Sequence, residues 1–297
     1  MTALKQLLGP MRLPFLVLPP VCVLLGVSTA VWGGARINLL HLILVLVGAF
    51  TAHISVNVLN EYFDFKSGLD LRTRRTPFSG GSGTLAANPE AAPSALITGV
   101  TTLALTGLIG LYFVFVRGAA LLPLGLLGLV VIVLYTPWIT RSPLLCLIAP
   151  GLGFGTLMVM GTDFALSGSY SWASFFASLV PFFLVNNLLL LNQLPDVEAD
   201  QSIGRRHLPI LAGRRTASLV YGLFLLATYL SIVVGAILGR LPWTALLGLG
   251  SLPLAVPTFL GAYRNAEAIE KLIPFLARNV LIVILTPLLT AIGIFLG

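Results

Sequence analysis

Two short stretches of this sequence place amides and carboxylates at helical spacing. His53, Asn57, Asn60, Glu61 and Asp64 follow one another by four, three, one and three residues, and Asn192, Asp196 and Asp200 by four and four. Those intervals line each set along one face of a helix. Carboxylates gathered in this way repel one another unless a cation lies among them. The donors are oxygens, with no His or Cys at ligand spacing, which favours hard divalent cations. Mg²⁺ in particular keeps several waters and is commonly shared between carboxylates and phosphate oxygens. Lys66, Arg72, Arg74, Arg75, Arg205 and Arg206 follow the two stripes and supply the positive groups that recognise a diphosphate and neutralise it as it departs. A lone acid at a helix end, such as Glu90, Glu267 or Glu270, is ordinarily just solvated. The two stripes begin inside apolar segments, where polar side chains are costly and mark function.

Helices in a bilayer must position these groups. The 297 residues are 57% hydrophobic and 9% charged, with a mean hydropathy of +1.00, which excludes an ordinary soluble domain. Nine apolar stretches, near 12–32, 37–63, 93–116, 118–137, 143–161, 172–194, 216–238, 243–262 and 273–296, approach the roughly 20 residues that a spanning helix needs. The expected fold is all-α, a polytopic membrane protein of nine transmembrane helices in one domain over 1–297. The first stretch carries Pro19 and Pro20 and lacks a small-residue cleavage site, so it reads as a spanning helix and not as a signal peptide. Cys22 and Cys146 fall in or beside apolar stretches and suggest neither a disulfide nor a thiolate metal site.

The net charge of +7 is explained by topology and needs no nucleic acid. With the N-terminus in the cytoplasm, Lys5, Arg12, Lys66, Arg72, Arg74, Arg75, Arg141, Arg205, Arg206, Arg214, Arg215, Arg264, Lys271 and Arg278 lie inside. Only Arg36, Arg117 and Arg240 lie outside, and fourteen against three obeys the positive-inside rule. The expectation is a multi-pass protein of the inner, cytoplasmic membrane with both acidic motifs on the cytoplasmic side. Two inside connections, about 64–92 and 195–215, each open on carboxylates and run into arginines. Pro195 is expected to break or kink the helix ahead of Asp196. The Gly-Gly-Ser-Gly run at 80–83 lacks the Gly-Lys-Ser/Thr ending of a P-loop and reads as a flexible turn.

Metal, diphosphate and a lipid surrounding point to a lipid diphosphate as substrate. Ionisation of its allylic C–O bond in a dry cavity would leave a carbocation for an electron-rich acceptor carbon to attack. The alternative from another class is a secondary transporter, whose acids would be expected near the bilayer midplane; a silent lipid-binding scaffold is a further one.

The string Asn60-Glu61-Tyr62-Phe63-Asp64-Phe65-Lys66-Ser67-Gly68-Leu69-Asp70 resembles the first Asp-rich motif of the UbiA superfamily of intramembrane prenyltransferases. Asn192-Gln193-Leu194-Pro195-Asp196-Val197-Glu198-Ala199-Asp200, followed by Gly204-Arg205-Arg206, resembles its second. The resemblance covers essentially the whole chain. It implies nine helices around a central cavity, Mg²⁺ as cofactor, and a polyprenyl diphosphate and a small aromatic acceptor as partners. Carried over by position, Asn60, Asp64, Asp70, Asn192, Asp196 and Asp200 would form the metal site. Lys66, Arg72, Arg205 and Arg206, with Asn57, would bind diphosphate, and Tyr135 would stand near the reaction centre beside Asn60, Asp64 and Asp196. The first string is most similar to the branch acting on 1,4-dihydroxy-2-naphthoate in menaquinone synthesis. Glu61 replaces that branch's usual Asp, and Pro195 stands where many of its members carry a basic residue. The Pro-Asp-x-Glu-x-Asp form is also similar to enzymes acting on homogentisate or chlorophyll precursors, and 4-hydroxybenzoate is a further acceptor to weigh.

Overall fold

The computed structural model describes residue 6 and residues 8–73 and 75–297; Lys5 and Arg74 of the inside set lie outside the described residues. It is all-helical. Helices stand at the nine expected places: α1 (Leu18–Trp32), α2 (Leu39–Ser67), α3 (Pro89–Arg117), α4 (Ala119–Leu134), α5 (Pro143–Ser167), α6 (Trp172–Asn192), α7 (Arg214–Ile237), α8 (Trp243–Arg264) and α9 (Ile269–Phe295). Seven of them, α2, α3 and α5–α9, are long and apolar enough to cross a membrane, and α1 joined to the turns at Gly9–Phe15 across a 52° bend makes an eighth. The ninth, α4, is shorter than a full crossing.

The departures from the expected boundaries have local causes. Pro19 and Pro20 sit in the first turn of α1, where a missing N–H costs nothing, so they start the helix instead of interrupting it. Residues 9–15 consequently fold as two separate 3₁₀ turns. Helix α2 runs one turn further than expected and stops at Gly68, whose φ of 75° suits the left-handed cap,. That extra turn puts Asp64 on the helix. Pro150, inside α5, is followed by a π-helical segment at Leu152–Leu157.

Helix α6 is the most buried span and packs on α1, α5, α7 and α9, whereas α3 turns most of its surface outward. Large apolar side chains on the outer faces, among them Ile97, Leu108, Phe115 and Leu223, are exposed, as expected where lipid replaces water. Contacts sort the connections between helices onto two ends. At one end Arg72 reaches Ser202 (3.2 Å), the Arg206 N–H donates to the Thr140 carbonyl (3.2 Å), Arg214 lies 3.8 Å from Glu267, and Arg12 lies 3.3 Å from Glu61. At the other, Arg117 donates to the carbonyls of Ala165 and Leu166 (2.8 Å each), and Arg240 lies over the Trp172 ring. The basic connections and the acidic motifs therefore share one end of the bundle.

Candidate active site

Two joined compartments meet near this end. An apolar cavity of about 500 Å³ runs between α2, α3, α4, α5 and α6, and a smaller polar chamber of about 100 Å³ lies beyond it toward the loops. Arg12, Asn60, Tyr135, Leu189 and Asn192 line both and form the junction. Asp64, Asp70, Asp196, Asp200, Arg205 and His207 line only the chamber.

Asp64 stands near the C-terminal end of α2 and is buried. It accepts from the Arg205 guanidinium, whose other terminal nitrogen donates to Asp200 at 2.8 Å. His207 Nε2 pairs with the second Asp200 oxygen, also at 2.8 Å. The two motifs are thus joined through one arginine. Asp196 follows the break at Pro195: α6 ends at Asn192, the freed Leu194 carbonyl accepts from Arg214 Nε at 2.8 Å, and Asp196 opens a short helix at Val197–Ser202. The expected interruption of this helix is therefore present.

The Gly-Gly-Ser-Gly run is more than a turn. Ser79 Oγ and the Gly80 N–H both donate to Asp196 at 3.2 Å. Ser82 donates to Glu61 through its N–H at 2.5 Å and its hydroxyl at 2.9 Å. One loop thereby clamps an acid from each motif. Gly80, Gly81 and Gly83 all have φ near 70–83°, a region that side chains rarely adopt. At Gly81 a Cβ would also stand 3.1 Å from a Glu61 oxygen and 3.2 Å from one of Asp70. Glu61, longer by one methylene than the Asp usual at that place in the resembled branch, spends its carboxylate on Ser82 and Arg12.

Burial sets the electrostatics of the loop carboxylates. The Asp70 carboxyl is pushed up to about 7 by burial and then by the charges of Glu61 and Asp64. Asp196 is pushed up to about 7 by burial and then by Asp200, against the opposing pull of Ser79, Gly80 and Arg205. Such groups favour a cation. No three acidic, histidine or cysteine side chains among the described residues stand close enough to hold one by themselves, and Arg205 bridges Asp64 and Asp200. Oxygens without protein partners nevertheless line the chamber: Asp70 Oδ2 and Asn192 Oδ1 are buried and unpaired. Asn60 donates its amide to Thr136 (3.0 Å), which leaves its Oδ1 for the chamber. This all-oxygen set suits Mg²⁺ completed by phosphate oxygens.

Of the basic groups expected to meet diphosphate, Arg205 lines the chamber. Arg72, Lys66 and Arg206 are exposed outside it: Arg72 bridges to Ser202, and Lys66 lies over the Tyr62 ring at 5.7 Å. Asn57 lines the apolar cavity instead, donating to the His53 carbonyl at 2.9 Å. Tyr135 is at the junction. Sequence reasoning counted Arg12 only as a topological charge and passed over Ser79, Thr136 and His207. Arg12 has a φ of 50°, in the left-handed region that a non-glycine residue enters at some cost and that is common at sites,. The one sequence signal for His207 is its place directly after Arg205-Arg206.

Residues 18–281 match the UbiA prenyltransferase family. The chain belongs to that family. It is a multi-pass membrane prenyltransferase, and prenyl diphosphates are its substrate class. A 1,4-dihydroxy-2-naphthoate octaprenyltransferase of Bacillus subtilis is 27% identical over 261 residues, covering 85% of this chain and 80% of that protein. Among solved structures, the apo form of a UbiA homologue from Aeropyrum pernix superposes with a TM-score of 0.66 at 17% identity, over 96% of this chain and 98% of that one. A UbiA homologue from Archaeoglobus fulgidus bound to GPP and Mg²⁺ gives 0.63 at 16% identity, over 98% and 100%. Both are similar in fold.

Proposed function

We propose that the protein transfers a prenyl group from a polyprenyl diphosphate to 1,4-dihydroxy-2-naphthoate, with Mg²⁺ as cofactor and the acidic chamber facing the cytoplasm. The observation that carries this reading is the junction, where an apolar cavity sized for hydrocarbon opens at Asn60, Asn192, Tyr135 and Arg12 onto a chamber of carboxylates. A prenyl diphosphate divides its chemistry at the same point, between an apolar chain and an anionic head. The naphthoate acceptor is supported by the B. subtilis relative and by the form of the first motif. The cytoplasmic orientation rests on the basic residues gathered at the chamber end.

Asn60, Asp64, Asp70, Asn192, Asp196 and Asp200 would hold Mg²⁺, which when bound supplies positive charge to the departing diphosphate. Arg205 and Arg12 are the guanidinium groups that line the chamber, and both can donate to phosphate oxygens. The allylic C–O bond breaks with its electron pair leaving on diphosphate. The prenyl carbon then lies at the junction, beneath Tyr135, in a cavity whose apolar walls keep water from the cation. The acceptor ring carbon forms the new C–C bond and then loses its own substituent to restore the aromatic ring, a proton from the unsubstituted carbon or carbon dioxide from the carboxylate-bearing one. The Ser79–Ser82 loop keeps Asp196 and Glu61 in register through these steps.

Purified protein, Mg²⁺, a radiolabelled polyprenyl diphosphate and a panel of 1,4-dihydroxy-2-naphthoate, homogentisate and 4-hydroxybenzoate test the reading. Label is expected in prenylated naphthoate. Prenylation of another acceptor in its place would reject the acceptor, and no Mg²⁺-dependent release of diphosphate would reject the whole proposal.

A further inference from the structure

His53 is the midpoint of the 29-residue helix α2 and is buried, with 3% of its surface exposed. Neither ring nitrogen has a hydrogen-bond partner, although an imidazole carries one donor and one acceptor in either neutral tautomer. The side chain lines the apolar cavity, seven residues and so about 10 Å along the helix from Asn60. Other polar groups nearby are already used: Thr106 bonds to Thr51 (2.8 Å) and to the Thr102 carbonyl (2.9 Å), and the Asn57 amide to the His53 carbonyl.

A second observation comes from the facing helix. Phe154 meets the His53 ring edge-on, with centroids 5.4 Å apart. It belongs to the π-helical segment Leu152–Leu157 of α5, a distortion that recurs at functional sites. Gly153, beside it, also lines the cavity, and a Cβ there would meet nothing within 4 Å. An imidazole and a phenyl ring thus border open space within a wall that is mostly hydrocarbon. A prenyl chain offers no group that could pair with imidazole. A polar residue kept unpaired at membrane depth points to a ligand that brings its own hydrogen-bonding atoms.

We propose that His53 binds the aromatic acceptor, hydrogen-bonding an oxygen on its ring while Phe154 packs against the ring. This rests on the prenyltransferase reading above and assigns the acceptor to the α2–α5 side of the cavity. The diphosphate head stays at the chamber and the prenyl chain takes the remaining walls. The ring hydroxyl is the feature recognised, so an acceptor without one is discriminated against at His53.

The test compares the full-length protein with His53→Leu and His53→Gln, using 1,4-dihydroxy-2-naphthoate, its two monomethyl ethers, homogentisate and 4-hydroxybenzoate. His53→Leu should raise the acceptor KM at least tenfold and leave the KM for prenyl diphosphate within twofold. His53→Gln, which keeps a donor and an acceptor, should recover most of that loss. The wild type, which needs no variant to fold, should prefer the diol over one monomethyl ether by at least tenfold, and His53→Leu should erase the preference. Equal acceptor KM values in wild type and His53→Leu, or a rise in the prenyl diphosphate KM alone, would overturn the assignment while leaving the function intact. A wild type that prenylates none of the acceptors rejects both proposals.

Discussion

Arg205, from the second acidic motif, donates to Asp64 of the first and holds Asp200 at 2.8 Å with its other terminal nitrogen. The planar guanidinium reaches two carboxylates at once, a geometry that lysine cannot reproduce. Arg205→Lys is therefore expected to lower turnover at least tenfold and Arg205→Ala at least a hundredfold. In Arg205→Ala the two carboxylates face each other without compensation, so Mg²⁺ should raise its Tm by more than it raises that of the wild type. Thermal melts with and without Mg²⁺, alongside diphosphate release, check both. An equal Tm shift would mean that arginine and metal do not share this space.

The acids themselves are expected to be indispensable. Asp64→Asn and Asp196→Asn should each reduce turnover by about three orders of magnitude, about 4 kcal/mol of transition-state stabilisation, while the proteins insert and purify normally. Wild-type rates in either variant would sink the metal assignment.

If Asp70 and Asp196 hold Mg²⁺ as proposed, protons compete with it for both carboxyls, which are pushed up to about 7. The folded pKa of each lies above the unfolded value, so the folded state binds more protons between about pH 4 and 7. Metal-free protein should consequently be more stable at the acid end of that window and lose stability as pH rises through about 7. The metal-bound form should behave in the opposite sense. From pH 8 to pH 6 the apparent Mg²⁺ affinity should fall by about tenfold for each carboxylate that must deprotonate. Melting in EDTA and Mg²⁺ titrations at several pH values check the two signs separately.

Gly81→Ala tests the loop that joins the motifs. Its φ of 71° and the Glu61 and Asp70 oxygens within 3.2 Å of the new Cβ should cost about 1–3 kcal/mol. A lowered Tm is expected together with a rise in the Mg²⁺ concentration needed for half-maximal activity, because Asp196 loses its Ser79 and Gly80 donors. Gly204→Ala also replaces a positive-φ glycine, but its Cβ would meet nothing within 4 Å. It should lower Tm without changing the Mg²⁺ requirement.

Orientation can be read from labelling. Cysteine placed at exposed Arg206 should react with an impermeant maleimide only after the membrane is opened, and at exposed Arg36 in intact cells. The reverse pattern would invert the topology.

Helix positions and the two acidic stripes were legible because both are periodic and local. Asn192, Asp196 and Asp200 all line the chamber, as their spacing suggested, but not as one helical face: the break that Pro195 announces leaves Asn192 at the end of α6 and Asp200 on the short helix after it. The clamp was not legible, since Ser79 meets Asp196 and Ser82 meets Glu61 only through tertiary folding, across 117 and 21 residues. Lys66 and Arg72 show the converse. Proximity in sequence to Asp64 suggested the chamber, but Lys66 falls on the exposed side of the last turn of α2 and Arg72 beyond the helix. Arg12 comes from the other direction, aimed by a backbone turn that no hydrophobic pattern encodes.

Helix α4 forms part of the cavity wall, and its 16 residues reach only about 24 Å, against roughly 30 Å of hydrocarbon in a typical bilayer. Lipid beside it must thin, or headgroups must dip, to meet its ends. A thinner membrane is therefore expected against the wall that borders the apolar cavity. Bilayer thickness becomes a variable of this enzyme, with short-chain lipids relieving the mismatch at α4 and long-chain lipids adding to it.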